Sequence, residues 1–497
     1  MVELAERPAE PELELDRVTE LDRVAELGLA APTRVYRALR SLARAALGLF
    51  YRHVEVTGLE HVDPLAPTIL APTHPNSIVD PVLVGLFEPR QVTFCARDGL
   101  FRVPILGTLL RAIGAVAIRR RSDHAGPVDN TEAFAECRAV LARGGVISIF
   151  PEGKTHERLR VEPIKTGAAR MAIDAITEQP ELDLRIVPVG LNYLVREAFR
   201  SDVHVAFGPP IRVATELTGL IAATPSLADD PRAQVVALTE RLEQRLRALA
   251  IHVDEREDER LVAEVTTVVI GLRDRDGFDG EGQSPAERTA LVQRILAAYR
   301  WLEDTDPVRC ARLRIRLMHY LDERRALGLG GIETALQHRR ERRFGREDHA
   351  LFGPVGLVLT APLAAIGVAT AALPYALMRA LLLVTRPRNF RVALLKLLGG
   401  GLLFSTWFAL LTWSAWAAVG PMFALSVGLA LVPLAVFAHR YVIDLRLHRF
   451  GLRRNLRRLV YRRRFRRLEL RHRWLTREIA SLRAAYLRES SGASEAP

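Results

Sequence analysis

Residues 355–378 and 397–419 contain no charged side chain, and residues 422–438 form a third uncharged run. No other feature limits the fold of this chain as strongly. In hydrocarbon, every backbone N–H and C=O must find a partner inside its own segment, which a helix provides. About 20 residues of helix cross ~30 Å of hydrocarbon, so the first two runs are long enough to span and the third is marginal. Pro362 and Pro374 interrupt the first run, and Gly420-Pro421 separates the second from the third. Arg386, Arg388, Arg391 and Lys396 follow the first run, and an arginine-rich segment follows the third. The excess of positive charge on cytoplasmic loops puts both flanks on that side. With both ends of the chain on that side as well, the number of crossings is even. The expectation for residues 351–438 is therefore a re-entrant, proline-broken element followed by a two-helix hairpin.

At 497 residues the chain has room for two to four domains, and 49% of its residues are hydrophobic. A net charge of +12 points to nucleic acid, a membrane surface or an anionic substrate as partner. Residues 440–477 hold fifteen arginines and two acidic residues. Because that segment directly follows an apolar run, a juxtamembrane basic helix on anionic lipid is the more economical account, and no nucleic-acid partner is expected. Cys95, Cys137 and Cys310 are too scattered for a metal knuckle or a disulfide framework, which suggests a reducing compartment and packing roles. Residues 1–30 read as an acidic, solvated tail without the pattern of a secretory signal. Residues 33–52 interleave Arg34, Arg37, Arg40, Arg44 and Arg52 with Val35, Leu39, Leu42, Leu47 and Phe50. That is a basic amphipathic helix, suited equally to packing on a domain or lying on an anionic bilayer.

Between residues 53 and 213, short β-like runs alternate with helical ones. Strands are expected at 53–57, 68–70, 92–96, 116–118, 146–150, 186–189 and 203–207, and helices at 103–113, 131–142 and 166–176. Buried strands separated by helices imply an α/β domain with a central, largely parallel or mixed sheet flanked by helices. Residues 214–350 are more charged and helical in period, with helices expected at 233–250, 258–272, 285–301 and 310–325. The domain boundaries expected are thus 31–213, 214–350, 351–438 and 439–497, after the acidic tail.

Sites in such sheets lie at the carboxyl ends of strands, and four blocks of the α/β segment carry chemistry there. In the first, an apolar run ends at His74, and Pro75, Asn76 and Ser77 supply first-turn chemistry for a helix carrying Asp80. A helix N-terminus favours the neutral imidazole, and a carboxylate on one ring nitrogen would fix its tautomer. The second block runs from Arg97 through Pro104 and Gly107 to Arg119-Arg120-Arg121 at a strand end, where guanidinium forks suit a phosphate. The third is Phe150-Pro151-Glu152-Gly153-Lys154-Thr155-His156, followed by Lys165-Thr166-Gly167 at a helix start, an anion cradle. The fourth, residues 186–193, is mainly apolar and reads as a pocket wall. Of seventy lysines and arginines only Lys154, Lys165 and Lys396 are lysine. The first two flank the third block, so at least one is expected to meet phosphate in a space too small for arginine.

In order and spacing these blocks resemble the four motifs of the glycerolipid acyltransferase family, of the lysophosphatidate and glycerol-3-phosphate acyltransferase kind, over roughly residues 35–213. The resemblance implies that a histidine deprotonates a substrate hydroxyl, which attacks an acyl thioester directly. It makes His74 the base and Asp80 its partner. Arg119 or Arg120 becomes the phosphate ligand, and Glu152 and Gly153 become part of the acceptor site, with Lys154 and Lys165 beside it. Two departures stand out: five residues separate His74 from Asp80 where the family usually has four, and Thr73 replaces the commoner Asn. With His-Pro-Asn-Ser and Lys165-Thr166-Gly167, the longer spacing resembles the subgroup acylating glycerol-3-phosphate or dihydroxyacetone phosphate.

The expected function is a multi-pass membrane O-acyltransferase of phospholipid biosynthesis, its catalytic domain on the cytoplasmic face. Its donor would be acyl-CoA or acyl-carrier protein and its acceptor a phosphorylated glycerol, with no metal and no cofactor beyond the donor. Membrane lipids are the remaining expected partner. A phospholipid-remodelling transacylase and a non-enzymatic basic membrane scaffold are the competing readings.

Overall fold

The computed structural model describes residues 32–123, 127–156, 158–193, 201–254, 284–327, 354–385 and 389–492. The acidic tail and the helix expected over 258–272 lie outside the described residues. Two compact units emerge: Met1–His252 with Arg388–Leu394, and Val253–Pro387 with Leu395–Pro497.

The first unit is built on one eight-stranded sheet. Its strands are β1 (His53–Thr57), β2 (Thr68–Pro72), β3 (Val92–Arg97), β4 (Val116–Ile118), β5 (Val146–Ser148), β6 (Arg185–Tyr193), β7 (Asp202–Phe207) and β8 (Ile211–Arg212). Their order is β1-β7-β6-β2-β5-β3-β4, with β8 also pairing β6. From β6 to β4 the neighbours are all parallel, whereas β7 and β8 run antiparallel to β6, so the sheet is mixed. Every residue of β2 is buried, as befits a parallel strand covered on both faces. The short β8 follows Gly208-Pro209-Pro210, a break that hid it in the sequence.

Helices flank the sheet: α1 (Arg34–Phe50), α2 (Val79–Phe87), α3 (Leu106–Ala112), α4 (Thr131–Ala142), α5 (Gly167–Glu178), α6 (Val213–Ala223) and α7 (Pro231–Leu249). The basic helix α1 is capped by Thr33 and packs through Tyr36, Leu47 and Phe50, leaving Val35, Leu42 and Leu49 exposed. Its Arg40 donates to the carbonyls of Leu86 (2.7 Å) and Pro89 (3.2 Å), a cation at the carboxyl end of α2. The sulfurs of Cys95 and Cys137 meet at 3.6 Å inside the core, consistent with packing roles.

The boundary expected at residue 213 is corrected to 252. Leu217, Leu238, Leu242, Leu246 and Ala250 are buried in the same core cluster as Ile69, Ile147 and Ile186. The outer face of α7 is charged, and that charge masked its apolar stripe.

The second unit contains α8 (Pro285–Thr305), α9 (Pro307–Ala326), α10 (Pro354–Thr385), α11 (Asn389–Val419), α12 (Pro421–Val460) and α13 (Arg462–Gly492), the start of α11 belonging to the first. Among the described residues, three segments are long and apolar enough to cross a membrane: Val355–Thr385, Gly399–Val419 and Pro421–Arg446. The break expected at the prolines does not form: α10 passes continuously through Pro362 and Pro374. Neighbouring helices compensate such prolines. A Cβ on Gly367 of α10 would lie 2.7 Å from the Leu434 carbonyl oxygen of α12, and Tyr441 Oη donates to the Leu357 carbonyl at 2.9 Å. The basic tail and the helical module are one packed body rather than separate parts. Leu468 and Leu475 of α13 share a core with Leu317, Tyr320 and Leu321 of α9, and Arg316 lies 4.1 Å over the Trp474 ring.

Candidate active site

Strand β2 delivers the chain to His74, and α2 begins only at Val79. The intervening residues turn sharply, with Ser77 at φ 54°. Pro75, Asn76 and Ser77, expected in the first turn of that helix, instead precede it. Ile78 occupies the N-cap position without a side-chain bond, and the buried carboxylate of Asp80 takes the Asn76 backbone N–H at 2.7 Å.

Asp80 is fully buried and holds three donors. His74 Nδ1 lies 2.9 Å from Oδ2, and because a carboxylate only accepts, Nδ1 carries the hydrogen, so in the neutral ring the lone pair is on Nε2. The Tyr193 hydroxyl donates to Oδ1 at 2.5 Å, and the Asn76 N–H completes the set. Asn76 in turn donates through Nδ2 to the Tyr51 hydroxyl at 3.1 Å. Burial, with Asp80 beside them, pushes the Tyr51 and Tyr193 hydroxyls up, so both stay protonated and Tyr193 keeps its hydrogen for Asp80. The His74 imidazole is 12% exposed and lies against Phe150, ring centroids 4.2 Å apart.

Glu152 is 1% exposed and ties the ends of β2 and β5 together. Its Oε2 accepts the His74 backbone N–H (3.2 Å) and His156 Nε2–H (2.8 Å), and its Oε1 accepts the Glu162 N–H (3.3 Å). It is a buried clamp on the histidine's backbone rather than a group facing an open acceptor site. Gly153 has φ 67°, and a Cβ there would come within 2.9 Å of Lys165 Cε and Nζ, so the exposed Lys165 lies directly over this glycine. Lys154 is instead paired, its Nζ 3.1 Å from Glu162 Oε2, while Arg160 Nε meets Glu162 Oε1 at 2.7 Å. Those two cations, Arg160 first, hold the Glu162 carboxyl down at about 2.

Arg119 and Arg120 follow β4. The Arg119 backbone is fixed on both sides by Asn130, whose side chain accepts from its N–H (2.9 Å) and donates to its carbonyl (3.0 Å), leaving the guanidinium exposed. Arg120 is half-buried between Asp123, Arg97 and Asp98, and burial pushes its guanidinium down from the usual range. Strands β2, β5, β3 and β4 are successive parallel neighbours, so His74, Phe150, Arg97 and Arg119 emerge along one edge of the sheet. Three strand spacings make about 14 Å from β2 to β4.

The structure thus joins His74, Asp80 and Glu152 in one network, sets Gly153 and Lys165 beside it, and puts Arg119 and Arg120 farther along the same edge. Tyr51 and Glu162 were not singled out by sequence, while Asn76, His156 and Tyr193 appeared there only as members of the first, third and fourth blocks.

Residues 53–192 match the family model "Acyltransferase". Over 90 residues the chain is 41% identical to glycerol-3-phosphate O-acyltransferase 2 of Saccharomyces cerevisiae, covering 18% of this chain and 12% of that protein. Over 169 residues it is 24% identical to a chloroplastic 1-acyl-sn-glycerol-3-phosphate acyltransferase of Brassica napus, covering 33% and 46%. An uncharacterized acyltransferase of Schizosaccharomyces pombe is 36% identical over 96 residues, 19% of this chain and 14% of that protein. The chain therefore spans only about an eighth of the length of the two yeast proteins. The solved 1-acyl-sn-glycerophosphate acyltransferase PlsC of Thermotoga maritima superposes with a TM-score of 0.31 at 18% identity, covering 47% of this chain and 82% of that one. Residues 53–192 are thus similar in sequence to the acyltransferase family.

Proposed function

We propose that the chain transfers an acyl group from a thioester to a hydroxyl of a phosphorylated glycerol, with His74 as general base. The observation that carries this is the His74–Asp80 contact at 2.9 Å, which commits Nδ1 to the carboxylate and leaves Nε2 as the proton acceptor. The acceptor hydroxyl gives its proton to Nε2 while its oxygen bonds to the thioester carbonyl carbon. The tetrahedral oxyanion then collapses, breaking the C–S bond. The departing sulfur takes the proton from the imidazolium, which Asp80 stabilises meanwhile. The atoms balance with donor and acceptor alone, so the route uses no cofactor.

The thioester is acyl-CoA or acyl-carrier protein. The acceptor is glycerol-3-phosphate or 1-acylglycerol-3-phosphate, its phosphate held by Arg119, Arg120 and Lys165. The yeast relative's name and the five-residue His74–Asp80 spacing support glycerol-3-phosphate; the Brassica relative's name supports the acylated form. With its three apolar segments the protein acts at a membrane, the first unit facing the cytoplasm. Labelling of engineered cysteines near residues 65, 388 and 445 tests that orientation; reaction of any of them from the outer face contradicts it.

The decisive assay supplies purified full-length protein in detergent with labelled acyl-CoA or acyl-carrier protein and each acceptor in turn. Thioester-dependent acylation of one acceptor is expected. Chain movement between phospholipids without any thioester would establish a transacylase instead. No transfer under any condition would favour a scaffold.

A further inference from the structure

Between Asp98 and Asp123 the chain carries five arginines (102, 111, 119, 120 and 121) and no acidic residue. Within that stretch, a turn of 3-10 helix (Asp98–Arg102) and α3 bracket the tripeptide Val103-Pro104-Ile105. This turn leaves the carboxyl end of β3, so it stands on the same sheet edge as His74. Its tip is apolar and open to solvent: Ile105 is 76% exposed, Val103 45% and Leu109 38%.

The tip is presented by a rigid base. Gly107 N–H donates to the Val103 carbonyl at 2.8 Å, and Leu109 N–H to that of Ile105 at 2.9 Å. Arg111 Nη1 donates to the Phe101 carbonyl at 3.1 Å. A Cβ on Gly107 would lie 2.1 Å from the Phe101 carbonyl oxygen, so only glycine lets α3 press so closely on the preceding turn. Ile105 has φ 63°, a strained conformation for a β-branched residue, and its side chain is exposed. A folded base that displays a strained, exposed isoleucine is not explained by the domain's own packing.

We propose that Val103, Pro104, Ile105 and Leu109 form a knob that inserts into the apolar layer of an anionic lipid surface. Arg102, whose side chain is 78% exposed, and the exposed Arg121 meet the headgroup phosphates around it. Lipid is the occupant that fits, because the charge exposed around the apolar tip is mainly basic: Asp98, which pairs with Arg102 at 3.6 Å, has a side chain only 15% exposed, against 78% for Arg102. The same chain also carries three helices long and apolar enough to cross a membrane, so a bilayer is within its reach. The knob would set the His74 edge of the sheet against the bilayer, whatever reaction that edge performs.

The test is depth-resolved quenching on the full chain in vesicles of phosphatidylcholine and phosphatidylglycerol. Ile105→Cys carries an environment-sensitive fluorophore, with labelled Leu109→Cys as a second probe should the first variant fold poorly. Leu65→Cys is the control: Leu65 is 53% exposed and equally apolar, but it precedes β2 and so lies at the opposite sheet edge. Unsubstituted protein gives the labelling blank. The expected result is blue-shifted emission at 105 and 109, quenched several-fold more by doxyl-labelled lipid than at 65. Emission typical of water, or quenching no greater than at 65, overturns the proposal. Blue-shifted but unquenched emission overturns it too, because it marks a protein contact. Equal quenching in phosphatidylcholine alone overturns the role given to the arginines.

Discussion

Tyr193→Phe removes one oxygen from the buried network and leaves the rest standing. Asp80 Oδ2 keeps its bonds from His74 Nδ1 (2.9 Å) and Asn76 N–H (2.7 Å), so the imidazole keeps its orientation. Oδ1 loses the Tyr193 hydroxyl, the donor found for it among the described residues, at a residue with no solvent exposure. A hydrogen bond to a buried charged group is worth about 1.5–3 kcal/mol. In a domain of this size each kcal/mol shifts the melting midpoint by roughly 2–4 °C. Thermal unfolding in detergent, followed by tyrosine and tryptophan signals, should therefore fall by about 3–12 °C. Acyl transfer measured below that midpoint should lose less than about tenfold, since the proton acceptor and its partner remain in place. Asp80→Asn should cost up to about 10⁴-fold in kcat by presenting the wrong tautomer partner. A Tyr193→Phe protein with an unchanged midpoint and abolished turnover would refute this division between structure and chemistry.

Three further outcomes follow from the site's geometry. Glu162 is held at about 2 against its usual 4.5, so the stability it contributes is complete above about pH 5 and disappears as pH falls toward 2. Glu162→Gln should flatten that acid limb in a pH series of melting midpoints, and an identical limb in both proteins would contradict the ion-pair assignment. Lys165 lies over Gly153, whereas Lys154 is bound to Glu162, so Lys165→Arg should raise the acceptor KM more than Lys154→Arg does in a saturation assay. Replacing Arg119 and Arg120 together by Gln should raise the acceptor KM well above any change in the donor KM, and equal changes would place them outside the phosphate site.

The alternation of apolar runs with helical periods was enough to place β1 to β7 and α1 to α5, because buried parallel strands have few other compositions available. Local pattern failed where a partner distant in sequence decides the outcome. The apolar stripe of α7 becomes core only because a sheet lies under it, so a charged outer face made residues 231–249 read as part of a separate module. Pro362 and Pro374 read as breaks, yet the close approach at Gly367 shows α10 packed against another helix through this region. At the site, His74 and Asp80 were readable because they are six positions apart. Tyr193 meets Asp80 across 113 positions, and Glu152 meets His74 across 78, distances over which a single sequence carries no periodic signal.

The central claim is that His74 Nε2 takes the proton of an acceptor hydroxyl during direct transfer from a thioester. Its most direct test is single-turnover acyl transfer by full-length wild type and His74→Ala, reconstituted at equal folded concentration, with labelled acyl-CoA and saturating phosphorylated glycerol. General-base catalysis contributes about 10²–10⁴-fold, so the variant should be slower by that factor, with its melting midpoint within a few degrees of wild type. A variant that keeps a tenth or more of the wild-type rate, or a wild type that accumulates acyl-enzyme before product, would contradict the account.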